Sequence, residues 1–167
     1  MKIRPEDTTD VSVISEIHYT AFKNHPQHEP GAEPVEHRIV ERLRDSGELA
    51  LSLVAEINGN AIGHIALSPA VVGEEDEGWF LLGPIGVLPA HQKKGVGSAL
   101  VQAAMDRMRE QGTLGIVLVG PPEYYGRFGF KSLESLTYPG VPSQYVLAVS
   151  FGGTAPGGDI KAHDAFG

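Results

Sequence analysis

Apolar positions along this chain change period several times, and each change predicts an element. Met1 to Arg4 predicts a first strand, which Pro5 and the cluster Asp7-Thr8-Thr9-Asp10 stop. Val13, Ile14, Ile17 and Ala21 then recur at helical spacing and predict a helix from Val11 to Phe22, capped by Asp10 or Thr9. Asn24 to Pro34 reads as a loop. Pro34 suits the first turn of a second helix over Val35 to Asp45, with Ile39, Val40 and Leu43 toward the core and Gly47 ending it. Leu49 to Ile57 and Ala61 to Leu67 are strand-like, and Asn58-Gly59-Asn60 between them is a hairpin signal. Gly73 to Gly78 is acidic and predicts a surface turn. Trp79 to Leu88 is nearly continuous in apolar residues, as a strand covered on both faces would be.

Leu100, Val101, Ala104, Met105 and Met108 form the stripe of a helix from Val96 to Gln111, which Gly112 stops. Leu114 to Val119 is a short buried strand, so Trp79 to Val119 predicts a right-handed parallel crossover. Glu123 to Phe128 suits a short helix, Gly129-Phe130 the start of a strand, and Ser143 to Phe151 a last strand. The sparse apolar content from Gly152 onward predicts a frayed tail. With 167 residues and no internal repeat, the expectation is one domain over residues 1–151 and a flexible tail over 152–167.

Composition narrows the chemistry. The chain holds no cysteine, which excludes disulfides, thiolate zinc sites and a cysteine acyl-enzyme. Thirteen basic and twenty-one acidic residues leave a net charge of −8, which argues against a nucleic-acid partner and suits a cationic one. No apolar run reaches the ~20 residues of a membrane span. The start, Met1-Lys2-Ile3-Arg4-Pro5, lacks the apolar core of a signal peptide, so a cytoplasmic protein is the expectation. His25, His28 and His37 fit no standard metal spacing and are expected at the surface, with no metal bound.

The candidate chemistry sits where the central strand ends. Gly83-Pro84-Ile85-Gly86-Val87-Leu88-Pro89 runs into Ala90-His91-Gln92-Lys93-Lys94-Gly95-Val96-Gly97-Ser98 and then directly into a helix. The first N–H groups of a helix lack partners within it, and the dipole makes that end partly positive. Gly95 and Gly97 let an anion approach the backbone, and Lys93 and Lys94 add charge. A Walker loop would need a Gly-Lys-Ser/Thr ending, which is missing. A dinucleotide fingerprint would need a glycine where Leu100 stands. The third pattern is Gln92-x-x-Gly95-x-Gly97, preceded by Val87-x-Pro89.

Tyr125-x-x-x-Gly129-Phe130 follows about thirty residues later. Together the two motifs resemble the GCN5-related N-acetyltransferase (GNAT) superfamily over roughly Lys2 to Val149. The run Pro122-Glu123-Tyr124-Tyr125-Gly126-Arg127-Phe128-Gly129-Phe130 is most similar to its YhbS-like branch. The resemblance implies an α/β (α+β) acyl-CoA N-acyltransferase fold. Such a fold has about four helices and a mixed sheet of six or seven strands, splayed between strands four and five.

It also implies acetyl-CoA as co-substrate and direct transfer to a primary amine of a small molecule, a peptide or a protein lysine. Ile85, Gly86 and Val87 would pair with the pantetheine arm, while Pro84 has no N–H to donate. The turn Gln92, Lys93, Lys94, Gly95, Val96, Gly97 and Ser98 would hold the pyrophosphate. Tyr125 is the expected general acid toward the sulfur, with Tyr124 as the alternative. No carboxylate lies on the central strand after Glu77, which leaves His64 and His18 as candidate bases. Relatives often form homodimers. A non-catalytic acyl-CoA sensor or protein-interaction module would use the same glycine turn, so that alternative stays open.

Overall fold

The computed structural model describes residues 1–23, 25–26 and 28–167; Asn24 and Gln27, inside the expected loop, lie outside the described residues. The strands are β1 (Lys2–Pro5), β2 (Leu51–Ile57), β3 (Asn60–Val72), β4 (Glu75–Val87), β5 (Gly115–Val119), β6 (Lys131–Ser132), β7 (Leu136–Thr137), β8 (Val146–Ser150) and β9 (Gly158–Lys161). The helices are α1 (Val11–Phe22), α2 (Glu36–Asp45), α3 (Val96–Glu110) and the single turn α4 (Pro122–Tyr125). Seven strands follow the path β1-β2-β3-β4-β5-β8-β6, and β9 and β7 join beyond the far end of β3. Every pairing on the path is antiparallel except β4 with β5. The expected α/β fold with four helices is present, with two short strands added to the expected six or seven.

Strand alternation divides the core between two faces. Leu53, Ala55, Ile65 and Leu67 pack with Leu100, Ala104 and Met108 of α3. Val54 and Ala66 face the other way, against Ile14 of α1 and Val40 of α2. His64, one step from Ile65, shares that second face. The N-terminal cap differs from expectation: Asp7 caps a 3-10 turn over Thr8–Asp10 that leads into α1. The Asp10 carboxylate instead receives Arg4 Nη1 and Nη2, at 2.7 and 2.9 Å. That guanidinium holds the Asp10 carboxyl below its usual range.

Two expectations about extent change. The acidic stretch expected as a turn narrows to Gly73-Glu74, because β3 and β4 form one long hairpin that takes in Glu75, Asp76 and Glu77. The tail expected to fray from Gly152 carries β9, which pairs antiparallel with Val71–Val72 of β3 and parallel with β7. Ile160 and Ala165 are buried there, and Phe166 packs on the same cluster. Such isolated apolar residues have no period to detect, yet each meets a hydrophobic surface that the rest of the chain has built. Among the described residues, no helix is long and apolar enough to cross a membrane.

Candidate active site

β4 and β5 share a parallel ladder only at Trp79–Leu81 with Gly115–Val117. Beyond it β4 continues along β3 through a register shift and pairs Ile85, Gly86 and Val87 with Ile65, His64 and Gly63. β5 instead stays with β8 up to Val119. The two strands therefore part after Leu81, and the side of Ile85–Val87 that faces β5 has no strand neighbour. A cleft opens there. On one side a cavity of about 590 Å³ is lined by Gly86, Val87, Gln92, Gly97, Tyr124 and Tyr125. On the other, a cavity of about 430 Å³ is lined by Phe22, Glu36, Ile39, Leu82, Tyr138 and Phe166. Ile85 and Tyr125 border both.

The turn after β4 leaves the N-terminus of α3 open beside a recess. Gly95 takes φ +85° at the N-cap of α3, and no side chain caps the first N–H groups of that helix. Lys93, Gly95, Val96, Gly97 and Ser98 surround a recess of about 350 Å³, which Arg127 also reaches. Lys94 is exposed beside it. Gln92 is exposed, and its Nε2 donates to the Val87 carbonyl at 2.8 Å and ties the turn to the end of β4. Tyr124 also belongs to this end. Its hydroxyl lies 3.2 Å from Ser98 Oγ, and the Arg127 guanidinium stacks 4.4 Å above its ring. Arg127 had no motif to mark it; a cation three residues after a tyrosine on a helical turn was the available signal.

Tyr125 points elsewhere. It is buried edge-on between Tyr124 and Phe130 and borders the junction of the two large cavities. Burial and the neighbouring Tyr124 push its phenol up to about 12, so it stays protonated through the neutral range.

The histidines expected as candidate bases lie beneath the cleft floor. Both are fully buried. His18 Nε2 is 2.8 Å from His64 Nδ1, and His64 Nε2 is 2.7 Å from Ser52 Oγ. Ser52 also bonds the Glu6 carboxylate, which Arg44 holds through Nε and Nη2 at 3.1 and 3.0 Å. His64 therefore has both ring nitrogens engaged. Burial first, then Arg44, lowers its imidazole to about 3. Burial, His64 and His37 hold His18 well below its ordinary value. Glu6, Ser52 and Arg44 escaped the sequence reading; a lone hydroxyl in the apolar run of β2 was the only trace of them. His28 pairs with Glu36 at 3.1 Å, and among the described residues no three His, Asp or Glu side chains converge as a metal site.

The family model described as "Acetyltransferase (GNAT) family" matches residues 13–130. Among curated proteins, the Escherichia coli K12 uncharacterized N-acetyltransferase YhbS is 37% identical over 97 residues, which is 58% of this chain and 58% of that protein. The uncharacterized N-acetyltransferase YjhQ of the same strain is 33% identical over 128 residues, 75% of this chain and 66% of YjhQ. The chain thus spans 58% of the length of the first of these relatives. Among solved structures, a GNAT family acetyltransferase from Brucella melitensis in complex with acetyl-CoA has a TM-score of 0.84 and 37% identity, covering 99% of this chain and 97% of that one. The Escherichia coli YhbS structure in complex with CoA has a TM-score of 0.88 and 28% identity, covering 99% and 91%.

Proposed function

Because the chain belongs to the acetyltransferase (GNAT) family, we propose that it is an acetyl-CoA-dependent N-acetyltransferase that moves the acetyl group directly to a primary amine. The observation that carries the reading is the parting of β4 from β5 after Leu81, with an anion cradle at one end of the cleft and Tyr125 at its centre. Acetyl-CoA supplies the acetyl group already activated as a thioester. The open edge of Ile85–Val87, where Gln92 already takes the Val87 carbonyl, is suited to pair with its amide-rich arm as an added strand would. N–H groups of Gly95 to Ser98, with Lys93 and Lys94, suit the pyrophosphate. Gln92 acts indirectly, by fixing the turn against Val87.

Tyr125 is the acid that protonates the departing sulfur. A phenol at about 12 is neutral at any working pH and so still carries the proton when the C–S bond breaks. Tyr124, bonded to Ser98, serves the cradle instead. The 430 Å³ cavity would take the acceptor. Phe22, Ile39, Leu82, Tyr138 and Phe166 favour an amine on an apolar body, and the net charge of −8 favours a cation approaching from solution.

The test is thiol release from acetyl-CoA across a panel of amines and peptides. Tyr125→Phe is expected to lower kcat by about 100-fold, the usual scale of general acid catalysis. The KM for acetyl-CoA should stay unchanged. Tyr124→Phe is expected to raise that KM with little effect on kcat. Tight acetyl-CoA binding without turnover of any amine would favour the binding-module alternative. An unchanged kcat in Tyr125→Phe would end the acid assignment.

A further inference from the structure

The hydrogen-bond chain beneath β4 determines its own tautomers. The Glu6 carboxylate, held by Arg44, has no proton to donate, so the Ser52 hydroxyl donates to it. Having spent its one proton, Ser52 Oγ accepts from His64 Nε2–H at 2.7 Å. A neutral imidazole carries one N–H, so His64 Nδ1 is a lone pair and accepts from His18 Nε2–H at 2.8 Å. His18 Nδ1 is left as a bare lone pair. It is buried and has no hydrogen-bond partner among the described residues. A Cβ at Gly86 would lie 2.8 Å from it, so the lone pair faces the bare backbone of β4 between Ile85 and Val87.

We propose that His18 Nδ1 accepts the proton shed by the attacking amine, and that His64, Ser52 and Glu6 are the positioning residues that keep this nitrogen bare and pass charge away from it. The proposal rests on the transferase reading above. A free amine attacks the carbonyl carbon, the C–N bond forms and the C–S bond breaks. His18 lines neither cavity, so the nitrogen's proton passes beside Gly86 to His18 Nδ1 by way of a solvent molecule. The Nε2 proton of His18 moves to His64 Nδ1, that of His64 to Ser52 Oγ, and that of Ser52 to Glu6. The sulfur takes the Tyr125 proton. As products leave, the hops reverse and the proton returns through the cleft to the Tyr125 oxygen. One proton leaves nitrogen, one reaches sulfur and none is left over.

The charged and titratable groups around the rings fit this role. His18 faces His64 of β3 and His37 of α2, and the β4 residue against it is Gly86. His64 feels Arg44 of α2 and Asp10 at the start of α1. Buried rings in this setting stay neutral and weakly basic. That matches a nitrogen whose proton becomes acidic only as the C–N bond forms.

Imidazole ¹⁵N spectra of the full chain without ligand test the resting state. Both rings are expected as neutral Nε2–H tautomers, with His18 Nδ1 unprotonated. A proton on His18 Nδ1, or a His18 ring that titrates near its ordinary value, overturns the proposal. Ser52→Ala should lower kcat by about 10-fold or more with the acetyl-CoA KM unchanged, and Ser52→Thr, which restores the hydroxyl, should recover most of it. Full kcat in Ser52→Ala overturns the relay. If Ser52→Ala does not fold, the spectra and a comparison of His18→Gln with wild type decide: an unchanged kcat in His18→Gln overturns the proton-acceptor role. A wild type that acetylates no amine overturns the transferase reading and the catalytic half of this proposal, while the spectra still decide the tautomers.

Discussion

A histidine open to water gains its proton near pH 6.5, but the fold closes His18 and His64 off from water. Burial holds both imidazoles low, His64 at about 3. Below pH 6.5 the unfolded chain therefore binds more protons than the folded one. The stability these rings contribute is complete above that value and is lost as pH falls through it, by about 1.4 kcal/mol per pH unit for each ring. Asp10, lowered by Arg4, acts in the same direction but only below its ordinary value of 3.8, so the two windows separate. Urea unfolding across the pH 6.5 region should show this loss, and His64→Gln should reduce its slope. Gly86 is the other sensitive residue. Gly86→Ala puts a methyl group 2.8 Å from His18 Nδ1, and a forced shift in a packed core costs about 1–3 kcal/mol. Urea unfolding checks that loss, and amine kinetics check the predicted block of the proton path. The sequence offered both histidines as candidate bases but gave no sign that they touch. His18 and His64 are 46 residues apart, and only strand register and helix packing bring them together.

The turn between β4 and α3 was the most legible element. Its glycines, its lysines and the helix behind it are all local features, and the backbone adopts the geometry they dictate. Gly95 holds φ +85°, which a side chain resists at a cost of about 1–2 kcal/mol. Gly95→Ala meets no atom within 4 Å, so its effect is conformational. It is expected to destabilise the fold by that amount and to raise the acetyl-CoA KM through a misplaced cradle. Chemical denaturation and steady-state kinetics measure the two effects. The β3–β4 hairpin was less legible. Acidic residues 75–77 read as a turn because charge often marks a loop, yet strand pairing tolerates charge on a face open to water.

At the scale of the whole molecule, the last residues complete both the core and one side of the cleft. Ile160 of β9 is 1% exposed, and Phe166 lines the 430 Å³ cavity. Removing residues 152–167 is expected to destabilise the fold as well as change acceptor kinetics. Ile160→Ala alone should cost about 2–5 kcal/mol in thermal or urea unfolding. Phe166→Ala should shift the KM for amines and leave that for acetyl-CoA unchanged. The sequence by itself determined the helices, the hairpin turn, the crossover and the cradle, because periodicity, caps and glycine conformations act within a few residues. It also carried the two motifs by which the family could be identified. Only the tertiary structure decided that Tyr125 borders both cavities of the cleft while Tyr124 borders one and bonds Ser98. The same is true of β9 pairing with β3, and of half-buried Glu6 and Ser52 forming one line with buried His64 and His18. Those outcomes depend on strand register and on contacts between residues far apart in the chain, and no local pattern encodes them.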